Sequence, residues 1–187
     1  SKAICDVRSG DLAVLGVPFE DISAPYAGQS LAPRALRETS VYFGWHANPQ
    51  FSHPVDIDAR QDISTDGLHE RLCDLGDILR GPDEAIHAAL KGAISQISCH
   101  GACAIILGGS DTLSETVQSA IPKCQTAQLG GIPRDVRDFH IAPLPNGSTT
   151  TCKHDTTAQI AAFSEWRDES KPLFVRFDLS VFGTSLS

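Results

Sequence analysis

No apolar stretch in this 187-residue chain is long enough to cross a bilayer, and its first residues lack the basic start and apolar run of a secretory leader. A cytoplasmic, membrane-free protein is the expectation. Positive charge is also scarce: 15 Lys and Arg stand against 23 Asp and Glu, a net charge of -8. That balance argues against nucleic acid or an anionic membrane surface as partner, because both are held through clustered cations. No internal repeat or low-complexity tract is present, and no nucleophile elbow announces serine or cysteine catalysis. Cys99 and Cys103 have no second pair at metal-site spacing, so the six scattered cysteines read as free thiols rather than a zinc site or a disulfide framework.

What is present suits a single globular domain over residues 1–187. Hydrophobic residues make up 41% and charged residues 20%, enough for one sizeable core. Asp11 to Phe19 is a short continuous apolar run, the pattern of a parallel strand covered on both faces, and Pro18 should end it. Pro33 opens a helix that runs through Arg37 and Glu38. Asp74 to Ile78 reads as a strand edge or turn. From Pro82 and Asp83 a helix carries Ile86, Leu90, Ile94 and Ile97 on one buried stripe. A buried strand over Ala102 to Leu107 breaks at Gly108-Gly109, and a helix follows from about Asp111 to Ala120. Thr156 to Ser170 shows a moderate helical pattern, and the last strand, which includes Leu173 to Asp178, ends near Phe182. Strands alternating with helices across Gly-rich turns predict an α/β fold with a mostly parallel sheet, which takes ligands beyond the carboxyl ends of its strands.

Five motifs then occur in order: Val14-Leu-Gly-Val-Pro-Phe-Glu20, Gly28 to Arg37, Asp74-Leu-Gly-Asp77, Leu107-Gly-Gly109 and Phe174-Val-Arg-Phe-Asp-Leu-Ser180. Together they resemble the ureohydrolases, the arginase and agmatinase family. The resemblance implies a three-layer α/β/α fold, here shortened, since family members continue well beyond the closing strand. In active members it implies a two-manganese centre that hydrolyses a guanidinium group to urea. It also implies association into a homo-oligomer, or a hetero-oligomer with a full-length ureohydrolase.

The family's metal ligands come from Gly-Gly-Asp-His, Asp-Ala-His-x-Asp and Ser-x-Asp-x-Asp, and the chain departs from each. Asp111 stands at the first histidine and Ser110 at the aspartate before it, where either residue also suits a helix cap. Asp178 is kept in the closing motif, but Ser180 replaces the second aspartate and Arg176 the leading serine. A cation at Arg176 opposes metal binding unless it pairs with Asp178, which would occupy a bridging ligand. The middle motif has two alignments. Asp138-Phe-His-Ile-Ala142 supplies Asp138 and His140 and lacks its last ligand. Alternatively, Gln128 to Val136 matches a later family segment and the ligand-bearing stretch is missing. The second alignment gives a better spacing to Asp178 and is preferred.

Two ions sharing a hydroxide need several hard oxygen and imidazole donors. The metal candidates are therefore Asp111 and Asp178, with Asp138 and His140 behind them and manganese as the ion if the centre works. The expected function is that of a ureohydrolase-like protein without a complete dimetal site, a subunit, regulator or relic. A divergent metal-dependent amidinohydrolase is the alternative. A third reading is a small-ligand binding module in which Arg176 grips a carboxylate. Arg34 and Arg37 invite a role as anion clamps, though structural ion pairs are the favoured reading.

Overall fold

A computed structural model describes residues 3–21, 28–42, 55–56, 61–62, 67–110, 112–129, 139–141 and 162–177. The chain divides into two compact units, Ser1–Ala120 and Ile121–Ser187.

The first unit begins with a 3-10 turn, Ile4–Asp6, and strand β1, Leu12–Gly16. A second 3-10 turn, Gln29–Leu31, leads into α1, Ala32–Tyr42. A short antiparallel pair follows, β2 at Val55–Asp56 and β3 at Gln61–Asp62, then α2 at Leu68–Arg71 and β4 at Leu72–Asp77. The unit closes with α3 at Asp83–Cys99, β5 at Cys103–Leu107 and α4 at Leu113–Ala120. β1 lies in the middle of a three-stranded sheet and pairs in parallel with β4 on one side and β5 on the other. The central place of β1 suits its apolar run, whose Ala13 and Leu15 are buried. The helical stripe expected from the sequence is present: Ile86, Leu90, Ile94 and Ile97 are all buried, joined by Ala93. Leu113, Val117 and Ala120 give α4 its own buried side, and α3 and α4 pack together. Cys73 is a core thiol at 1% exposure, whereas Cys99 and Cys103 lie at the surface.

β4 is a strand with a bulge, which explains why its sequence reads as both strand and turn. Val14 pairs with Asp74 but Gly16 pairs with Asp77, so three steps on β4 match two on β1. Gly76 has a φ of +85°, a conformation that glycine adopts without strain.

The second unit holds β6 at Gln125–Leu129, β7 at Phe139–Ile141 and β8 at Leu173–Phe177. β6 is central, parallel to both neighbours, in the order β7-β6-β8. The start of β6 is tied to the turn before β8: Gln125 Oε1 accepts from Arg167 Nη1 and the Asp168 N–H, each at 2.8 Å, and its Nε2 donates to the Trp166 carbonyl at 3.0 Å.

Candidate functional site

In the first unit the carboxyl ends of β1 and β5 meet the start of α1. Pro33 is fully buried there, and two glycines make room for it. A β-carbon on Gly108 would come within 2.6 Å of Pro33 Cδ, and one on Gly16 within 2.9 Å of Pro33 Cβ. Gly108 also has a φ of +77°. Gly16 and Gly108 thus belong to their motifs for a steric reason. The Val17 N–H donates to the Leu107 carbonyl at 2.9 Å, extending the β1–β5 contact past the strand end.

The turn after β1 is pinned by a carboxylate. Glu20 Oε1 accepts from the Gly28 N–H at 2.6 Å and its Oε2 from the Ser30 hydroxyl at 2.8 Å. The Gly28 N–H first, and then Ser30, hold this carboxyl below the usual carboxylate range. Phe19 packs edge-on to His87, ring centroids 5.4 Å apart, and His87 Nδ1 lies 2.6 Å from Thr116 Oγ1. Close to these turns, Gln29 Oε1 and Thr112 Oγ1 are shut off from solvent and have no hydrogen-bond partner.

The arginines of α1 make ion pairs, as favoured from the sequence. Arg34 Nε donates to Glu38 Oε1 at 2.7 Å, one helical turn on. Arg37 reaches farther: its Nε and Nη2 grip both oxygens of Asp74 at 2.8 and 2.9 Å, and its Nη1 donates to Asp77 Oδ1 at 2.5 Å. Nη2 also donates to the Gly76 carbonyl at 3.1 Å. Asp74 Oδ1 accepts from the Gly76 N–H at 2.9 Å, which closes the bulge locally. The Arg37 contact, ahead of the Gly76 N–H, holds the Asp74 carboxyl below its usual range. The Asp-x-Gly-Asp motif is therefore a socket for a guanidinium from the same chain. Regular alternation would put two aspartates three residues apart on opposite faces; the bulge is what brings them to one side, and the sequence alone does not show it.

The sequence-derived metal candidates are placed only in part. Asp111, Asp138 and Asp178 lie outside the described residues. His140 has its backbone in β7 and Arg176 lies in β8, with Gln128 of β6 between them in register. His140 and Arg176 are thus two strand spacings apart, roughly 10 Å along the hydrogen-bonding direction. Arg176 is half-buried. Among the described residues no three His, Cys, Asp or Glu side chains converge on one point.

Comparison with known proteins agrees with this architecture. The arginase family pattern matches residues 10–132. Among solved structures, the agmatine ureohydrolase of Thermoplasma volcanium is 22% identical over 65% of this chain and 37% of its own, with a TM-score of 0.49. Proclavaminate amidino hydrolase from Streptomyces clavuligerus is 21% identical over 66% and 39%, also with a TM-score of 0.49. The oxidised formiminoglutamase of Trypanosoma cruzi at pH 4.6 is 15% identical over 94% and 62%, with a TM-score of 0.51. The chain spans 37% and 39% of the length of the first two. At such identities the likeness concerns the fold, a shortened α/β arrangement of parallel sheets and helices. With the motifs of β1, α1, β4 and β5 falling inside the matched span, the chain belongs to the arginase family.

Proposed function

We propose that this chain is a non-catalytic member of its family, acting as a subunit or regulator of an active ureohydrolase. The reading rests on one observation: the ligand positions are thinned together while a cation stands among them. Ser110 and Asp111 replace the aspartate and histidine of the first motif, Ser180 replaces the last aspartate of the closing motif, and Arg176 precedes Asp178 by two residues.

Such a donor set does not fit two divalent ions. On the preferred alignment only Asp111 and Asp178 remain. On the other, Asp138 and His140 join them, and the strand bearing His140 is separated from β8 by the whole of β6. Two adjacent cations repel unless several carboxylates offset their charge, and a guanidinium nearby adds to the repulsion. No hydrolytic step is assigned to these residues. Exposed Leu31, Leu72 and Leu79 offer apolar surface for association with a second copy or with a full-length relative, and a cytoplasmic location goes with this reading.

The test is to purify the protein from medium supplied with manganese and measure bound manganese, nickel and zinc. Urea release from arginine, agmatine and guanidinobutyrate is assayed in parallel. Substoichiometric metal and no turnover are expected; stoichiometric metal with steady turnover overturns the proposal.

A second reading, a divergent amidinohydrolase with a reduced centre, draws support from the bonds by which Glu20 holds Gly28 and Ser30. It requires that alanine at Asp178 abolish whatever turnover is found.

A further inference from the structure

Through its described side chains, helix α1 is attached to its unit at few points. Among its described side chains only Pro33 is buried, Ala32 and Arg37 are half-buried, and Arg34, Ala35, Leu36, Glu38, Thr39 and Ser40 face solvent. A helix of 11 residues is marginal in water without tertiary support. Among the described side chains its hold rests chiefly on two residues one turn apart, and these differ in kind. Pro33 is lodged in an apolar slot between Gly16 and Gly108, which salt does not weaken. Arg37 binds through charge, and the clamp is open to water, with side chains 27% exposed for Arg37, 48% for Asp74 and 40% for Asp77. Charges so placed are screened by dissolved ions.

We propose that α1 is a latched strap: it pivots at Pro33, is fastened by Arg37, and opens as a local unit while the sheet beneath it stays folded. The near side does not move with it, because Glu20 ties down Gly28 and Ser30 ahead of the pivot. Opening uncovers the carboxyl ends of β1 and β4, where Gly16 lies against Asp77. That edge is where sheets of this class receive ligands, so the latch governs access from the α1 side. The device does not depend on whether the chain turns over a substrate.

Amide hydrogen exchange on the full chain at neutral pH tests it, read peptide by peptide in the wild type, Arg37→Lys and Arg37→Met. In Arg37→Met the amides of residues 36–42 should exchange at least about tenfold faster, with α3 and β5 unchanged. Arg37→Lys should fall between, since an ammonium cannot grip both Asp74 oxygens as a planar fork does. In the wild type, raising NaCl from about 0.05 to about 0.5 M should speed the same peptides alone, an arm that needs no variant to fold. Unchanged exchange in α1 on adding salt overturns the strap. So does acceleration of α3 and β5 alongside it, because the clamp would then support the whole unit.

Discussion

A β-carbon on Gly16 would stand 1.9 Å from Oδ1 of Asp77. The carboxylate, 40% exposed, can retreat only by giving up its bond to Arg37, and buried Pro33 closes the other side of the added carbon at 2.9 Å. Gly16→Ala should therefore cost about 2 kcal/mol or more, the scale of a forced overpacking. Gly28→Ala is the control: its φ is +93°, but among the described residues an added β-carbon meets nothing within 4 Å. That change should cost only the backbone strain, about 1–2 kcal/mol. Urea denaturation of both variants checks the contrast, and equal losses would count against the steric account.

Acid should weaken the first unit in a defined direction. The Asp74 carboxyl is held below its ordinary value by Arg37 and by the Gly76 N–H. A carboxyl depressed in the folded state contributes stability that is fully present above its unfolded pKa and is lost as pH falls through the folded one. Stability should thus decline below about pH 4, and less so in Asp74→Asn. Asp168 in the second unit follows the same rule. Its carboxyl is pushed down to about 2, chiefly by the Ser170 hydroxyl and then by Lys171, so its share is lost between the ordinary carboxylate value and about 2. Denaturant titrations across that range, with Asp168→Asn as a further variant, separate the two.

Thr112→Val should stabilise the protein. The Thr112 hydroxyl oxygen is buried without a partner, and valine keeps the shape while removing the unsatisfied group. A gain of up to about 1 kcal/mol is expected by thermal and urea unfolding. A loss of similar size would mean that the hydroxyl is bonded in solution.

Core and surface leucine-type side chains should separate cleanly. Ile97 is fully buried beside Val7 and Ala13, so Ile97→Ala should cost about 2–5 kcal/mol. Leu79 is 88% exposed, and Leu79→Ser should stay within about 0.5 kcal/mol of the wild type. The same unfolding curves decide both.

Much of the first unit was legible before any coordinates. The apolar runs of β1 and β5 and the stripe Ile86, Leu90, Ile94 and Ile97 each match one period of one element, and each element is present. One boundary moved: α4 begins at Leu113, whose N–H bonds back to the Ser110 carbonyl at 3.0 Å. In the second unit, β6 escaped the reading because Gln125-Thr-Ala-Gln-Leu129 carries polar residues in a strand, one of which serves the turn before β8. β7 has only three residues, too few for periodicity to register. The Arg37 socket was half-legible: ion pairing was favoured for the arginine, but nothing local names a partner 37 residues away. Of the candidate ligands, only the backbone of His140 can be placed, one strand beyond β6 from β8.

The bulge in β4 has a consequence for what this segment tolerates. Asp74 and Asp77, three residues apart, flank the same side of β1 because the bulge takes up one residue between them. Removing either Leu75 or Gly76 would leave the aspartates two residues apart, which strict alternation also puts on one face, so both would still meet the guanidinium. Ile78, buried and donating its N–H to the Gly16 carbonyl, would keep its phase with the core, because Asp77 would stay opposite Gly16. Conformation in this stretch is therefore constrained more tightly than length: with three residues of separation kept, the left-handed backbone at Gly76 is what leaves the two carboxylates on speaking terms.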